Sequence, residues 1–156
     1  MPLLFAILVV AVMVMIFCFS AENGTQSMKT SNGVTAFVLK IIKPDWESMT
    51  GAQKSEYFTK VSHYVRKAAH FTEYFLLGLF ASLLVATASR SGNKSTFALF
   101  LIPVAIGFLY ALFDEGHQRY VGGRAAQFTD VIIDACGALV ATVLVALFAL
   151  LSRRKN

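Results

Sequence analysis

The chain has 156 residues, of which 56% are hydrophobic and only 15% charged, with a mean hydropathy of +0.63. Soluble domains carry about a quarter charged residues, so a compact water-facing fold is excluded, and disorder is excluded by the same apolar excess. The net charge of +5 comes from dispersed bases with no interleaved aromatic stripe, so no nucleic-acid footprint exists.

A hydrocarbon core of roughly 30 Å requires about 20 helical residues. Residues 2–20 carry no charge and predict a first span, read as an uncleaved anchor in preference to a signal peptide because no base precedes it. Residues 21–69 form the one extended polar stretch. Asn, Gly, Ser and Thr between Asn23 and Gly33 predict a loop there. Val34 to Ile42 is too short to cross and predicts a helix lying on the membrane surface. A second short helix is predicted over Ala52 to His63, with Trp46, Tyr57 and Tyr64 as interfacial anchors.

Further spans are predicted over residues 70–89, 96–118 and 129–151, with a polar turn from Arg90 to Ser95 and a loop holding Gly122 and Gly123. The result is an all-α polytopic membrane protein: a single domain of four transmembrane helices in an antiparallel bundle, with a long first loop. Small residues at helical spacing, Gly78, Ser82 and Ala86 and again Gly107 and Ala111, permit close helix contact in lipid. Cys18 and Cys136 sit inside apolar runs and offer neither a disulfide framework nor a zinc cluster. Basic residues in the short turn and the C-terminal tail place both termini in the cytoplasm.

Beyond Tyr57 the acids are Glu73, Asp114, Glu115, Asp130 and Asp134, all within or at the edge of a span. An ionisable group at mid-bilayer costs roughly 2.5–3.5 kcal/mol, so five left unpaired would cost about 12–17 kcal/mol. Alternating helix direction brings them to one level instead, together with Arg66, Lys67, Arg119 and Arg124, and with His70 and His117 titratable between. On the second span Arg66, His70, Glu73, Tyr74 and Leu77 share a helical face. Asp114 and Gln118, and Asp130 and Asp134, are each four apart. The charges of this group sum to −1 with both histidines neutral.

Three separated motifs carry a resemblance. Arg66-Lys67-Ala68-Ala69-His70-Phe71-Thr72-Glu73-Tyr74, then Phe113-Asp114-Glu115-Gly116-His117-Gln118 with Gly122-Gly123-Arg124, then Asp130 through Asp134 to Gly137, together with Phe19-Ser20, resemble the signature of the VanZ-like family. Asp134 departs from it, since many members carry asparagine there. The resemblance implies a bacterial inner-membrane protein of four helices, related to a founding member linked to teicoplanin resistance, and it brings no established reaction.

The residues leave three readings open. The first is a binding site at the outer face for a membrane lipid, a cell-wall precursor or the glycopeptide antibiotic. Arg66, Lys67, His70, Glu73, Tyr74, Asp114, Glu115, Gln118, Arg124, Asp130 and Asp134 are its ligand-binding residues, the arginines suited to bidentate recognition of oxyanions. The second is an enzyme acting as hydrolase or transferase on a lipid-linked substrate. There His70, Glu73, Asp114 and Glu115 supply acid and base and Arg124 stabilises negative charge. The third is a polar network that only locks helices together, although interhelical polar contacts contribute just about 0.6 kcal/mol each. No cofactor and no metal is assigned. A divalent cation held by Glu73, Asp114, Glu115 and Asp130 is chemically conceivable. His63 is expected to be a loop histidine, His117 to face the interface, and Tyr110 to pack.

Overall fold

The computed structural model describes residues 1–88, 96–123 and 127–153. It contains five α-helices: α1 (Pro2–Ser20), α2 (Gly24–Ile42), α3 (Gly51–Ala88), α4 (Thr96–Gln118) and α5 (Phe128–Arg153), with a short 3-10 turn at Trp46–Ser48. Helices α1, α3, α4 and α5 are each long and apolar enough to cross a membrane. The spans predicted at 2–20, 96–118 and 129–151 match α1, α4 and α5 within two residues.

The polar stretch is more ordered than its composition predicts. The segment from Asn23 to Gly33, expected as a loop, is the first half of α2. Asn23 caps it, its side chain accepting from the Gln26 backbone N–H at 2.9 Å. The hydroxyls of Ser31 and Thr35 donate to the carbonyls of Ser27 and Ser31 at 2.9 Å, satisfying groups that favour turns when left to themselves. Ser27, Thr35 and Leu39 are buried, so packing on α3 overrides weak propensity. Val34, Phe37 and Ile41 remain exposed on the opposite side, the apolar face expected of a helix at a lipid surface.

The short helix predicted at Ala52–His63 and the span at 70–89 are likewise one element, α3, unbroken from Gly51 to Ala88. Its start is a capping box: the Thr50 backbone N–H donates to Gln53 Oε1 at 3.0 Å, and the Gln53 N–H donates back to Thr50 Oγ1 at 3.4 Å. No glycine or proline lies between Gly51 and Gly78 to interrupt it. At about 1.5 Å per residue α3 outruns the hydrocarbon core, so its first half stands beyond the bilayer beside α2.

α3 is the central helix, packed on each of the other four. Its tightest neighbour is α5. A Cβ on Gly78 would meet the Ala138 carbonyl oxygen at 2.5 Å, and one on Gly137 would collide with the Phe71 carbonyl. The small residues therefore set the approach of two backbones. One turn along the same seam, Ser82 Oγ donates to the Gly78 carbonyl at 2.7 Å and lies 3.2 Å from Thr142 Oγ1. The core is built from Val9, Val12, Ile16, Tyr74, Leu77, Ala81, Ala111 and Val131. Large apolar side chains such as Leu3, Ile7, Val10, Phe97 and Phe148 face outward, as a lipid solvent demands.

Candidate functional site

The C-terminal ends of α1 and α4, the middle of α3 and the N-terminal end of α5 meet at one level, and the acidic residues of the spans lie there. Asp114, Glu115, Gln118 and Asp134 are all buried, Asp114 and Asp134 at 1% exposure each. Gln118 Nε2 lies 3.1 Å from Asp114 Oδ2 and 3.2 Å from Ser20 Oγ, so one amide ties α4 to the end of α1. Lys67 of α3 pairs with Asp130 in the first turn of α5, where the helix dipole also favours a carboxylate. Glu115 Oε1 accepts the backbone N–H of Gln127 at the entry to α5.

His70 and Glu73 sit three apart on α3, with His70 Nδ1 3.8 Å from Glu73 Oε2. The ligand-capable atoms of His70, Asp114 and Asp134 lie within 4.8 Å of one another. The Tyr74 hydroxyl, the His117 Nδ1 and Asp134 Oδ1 are buried without a hydrogen-bond partner among the described residues.

Adjacent residues on one helix point about 100° apart, and this separates the acids into two sets. Asp114, with Gln118, faces the end of α1, His70 of α3 and Asp134 of α5. Glu115 serves α5. The four-carboxylate cation site conceivable from the sequence is therefore divided: Glu115 is engaged by Gln127, Asp130 by Lys67, and the group that converges contains His70 and Asp134 instead. Arg124, expected among the ligands, and the turn from Arg90 to Ser95 lie outside the described residues.

Openings reach this level from more than one side, two of them against α3. A polar cavity of about 240 Å³ is lined by His63, Arg66, Lys67, His70, Gln118, Gly123, Gln127 and Asp130. A larger groove of about 580 Å³ runs between α1, α2 and α3, with mostly apolar walls including Met15, Phe19, Val34, Val38, Val65 and Leu76. Arg66 and His70 line both. The roof of the polar cavity is held by a contact between distant segments, since the Gly24 N–H donates to the Gly122 carbonyl at 3.2 Å. Gly123 next to it has φ +78°, and a Cβ on Gly24 would run into its carbonyl, so glycine is required on both sides of this approach.

Three residues gain a place that sequence reasoning did not give them. His63 is on α3 and lines the polar cavity instead of sitting in a loop. His117 packs its ring on Phe17 at 4.8 Å, between α4 and α1. Ser20 is a partner of Gln118; its four-residue step from Ile16 on the buried face of α1 was the available signal. Tyr110, expected only to pack, also donates from its hydroxyl to the Met13 carbonyl at 2.6 Å.

Comparison with known proteins gives a family match. The family model described as VanZ/LLP1 covers residues 5–149, and thus every element of the cluster. Neither the curated proteins nor the solved structures yielded a match. With four candidate spans and a family model reaching across nearly its whole length, the chain is a multi-pass membrane protein that belongs to the VanZ-like family.

Proposed function

We propose that the polar cluster binds an amphiphilic, anionic ligand of the cell envelope, either a membrane lipid or a lipid-linked cell-wall precursor, at the outer face of the bacterial plasma membrane. Through that ligand the protein contributes to tolerance of teicoplanin-type glycopeptides or to envelope maintenance. The observation carrying this reading is that Arg66 and His70 stand at the junction of a polar cavity and an apolar groove. A head group bearing phosphate suits the first, and an acyl or polyprenyl chain suits the second. Arg66 supplies bidentate donors, while Lys67, already held by Asp130, frames the polar side.

In this reading both termini are cytoplasmic and the cluster lies under the external boundary, so an alkaline-phosphatase fusion after Arg124 is active. The binding test compares a polyprenyl phosphate with the uncharged polyprenol on protein in nanodiscs. The phosphate is expected to bind more tightly, and Arg66→Gln to reduce its affinity about tenfold or more, as loss of a charge-assisted hydrogen bond implies. Equal binding of the two compounds would remove the proposal.

One arrangement favours a second reading, an enzyme acting on the same lipid-linked class: His70 beside Glu73, with Asp114 and Asp134 close by, is an acid-base inventory. Glu115, occupied at the entry to α5, is a weaker catalytic candidate than the other three. Release of phosphate from a polyprenyl diphosphate, abolished in Asp114→Asn, would establish it.

A further inference from the structure

Along α4 and its last turn, Leu112, Glu115, Gly116 and Arg119 follow the spacing of one helical face. That face and the start of α5, at Phe128 and Val131, border an opening of about 260 Å³. Gly116 stands in the middle of it. A glycine inside a helix is unfavourable relative to alanine through backbone entropy. Gly78, Gly107 and Gly137 have a reason to be there, because a Cβ on any of them would strike a neighbouring helix. Gly116 has no such neighbour: a Cβ there meets open space, with nothing within 4 Å. Unlike the exposed Gly33, it is half-buried and lines the opening. The room beside it is therefore not taken up by packing.

The walls change character with depth. Arg119 directly follows Gln118, whose amide meets Ser20 at the end of α1, so it stands where the spans leave the hydrocarbon. It is exposed, and its side chain forms no ion pair or hydrogen bond with any described residue. Leu112, exposed on the same face, lies about 10 Å further into the bilayer along the helix. Glu115 is buried at the back, where it is engaged by the Gln127 N–H.

We infer that this opening seats one phospholipid of the surrounding leaflet, with its phosphate on Arg119 and an acyl chain running past Gly116 over Leu112. A guanidinium meets phosphate oxygens with paired donors, and the bare backbone at Gly116 lets the chain lie against the helix. The opening shares no residue with the apolar groove between α1, α2 and α3, so this lipid is distinct from the ligand proposed above.

The test is titration of the delipidated, detergent-purified protein with a phospholipid and with the diacylglycerol of the same chains, bound molecules being counted by native mass spectrometry. All titrations use an Arg66→Gln background, which disables the polyprenyl-phosphate site, so the two proposals fail separately. The phospholipid is expected to bind about tenfold or more tightly than the diacylglycerol, and Arg119→Gln to remove that advantage, as loss of a charge-assisted hydrogen bond implies. Gly116→Leu fills the opening from a position with free space, and should weaken phospholipid binding by about as much without lowering the melting temperature. Equal binding of the two lipids by the background protein would overturn the inference, leaving ordinary annular lipid only. Phospholipid affinity undiminished in either Arg119→Gln or Gly116→Leu would overturn it as well.

Discussion

At the scale of single residues, the site depends on a few groups that each serve two helices. Gln118 is one: its amide meets both Asp114 and Ser20. Gln118→Leu keeps the volume but strips a buried carboxylate of a donor, and a loss of about 1–3 kcal/mol is expected in thermal unfolding in detergent. Lys67 is another. Lys67→Met leaves Asp130 half-buried without its partner, at about 1.5–3 kcal/mol for a charged hydrogen bond. Adding Asp130→Asn should restore part of that loss, because the second change removes the stranded charge. Equal and additive losses would mean that the two side chains do not interact. Much of this was legible from one sequence, because the spacing of Asp114, Gln118, Asp130 and Asp134 and the alternation of helix direction bring them to one level without any knowledge of contacts. Which acid meets which partner was not legible. Asp114 and Glu115 are neighbours in the chain but diverge around the helix, and the choice of Gln127 as partner to Glu115 depends on where a loop ends.

Among the elements, α2 and α3 are where composition misleads. Ser27 and Ser31 read as loop formers, yet with Thr35 they are spaced four apart and lie on one helical face, Ser27 and Thr35 buried. Their polarity is satisfied locally, by bonds to preceding carbonyls, so burial against a neighbour carries no penalty that composition would reveal. The continuity of α3 was hidden by the charges from Arg66 to Glu73, which look like the edge of a span but lie within a helix longer than the bilayer is thick. The seam between α3 and α5 gives a sharp contrast between two glycines. Gly137→Ala forces a methyl group into the Phe71 backbone and is expected to destabilise by about 1–3 kcal/mol, the range for overpacking. Gly33→Ala, exposed in α2 with nothing within 4 Å of the new methyl, should stabilise by about 0.5–1 kcal/mol through backbone entropy. Melting of the two variants in the same detergent checks both signs.

For the whole molecule, the outward-facing leucines, valines and phenylalanines fix which solvent each part meets. Cys18 and Cys136 are free and exposed on helix faces that look toward lipid. A thiol facing hydrocarbon is out of reach of a reagent confined to water. Intact cells are therefore expected to leave both unlabelled by a membrane-impermeant maleimide, whereas Tyr120→Cys, at 90% exposure after α4, becomes labelled from outside. Labelling of Tyr120→Cys only after the membrane is opened would reverse the orientation.

The bond from Gly24 to Gly122, and that from Gln118 to Ser20 across 98 positions, join the beginning of the chain to its later part. Synthesis proceeds at about 5–20 residues per second, so the first helix and the amphipathic one after it wait roughly 5–20 s for their partners to be made. During that interval α2 has the lipid surface and, once it is made, α3 to hold it. The pocket is thus completed last, after the fourth crossing has begun, and a ribosome stalled before Gln118 would leave an inserted but open half-protein.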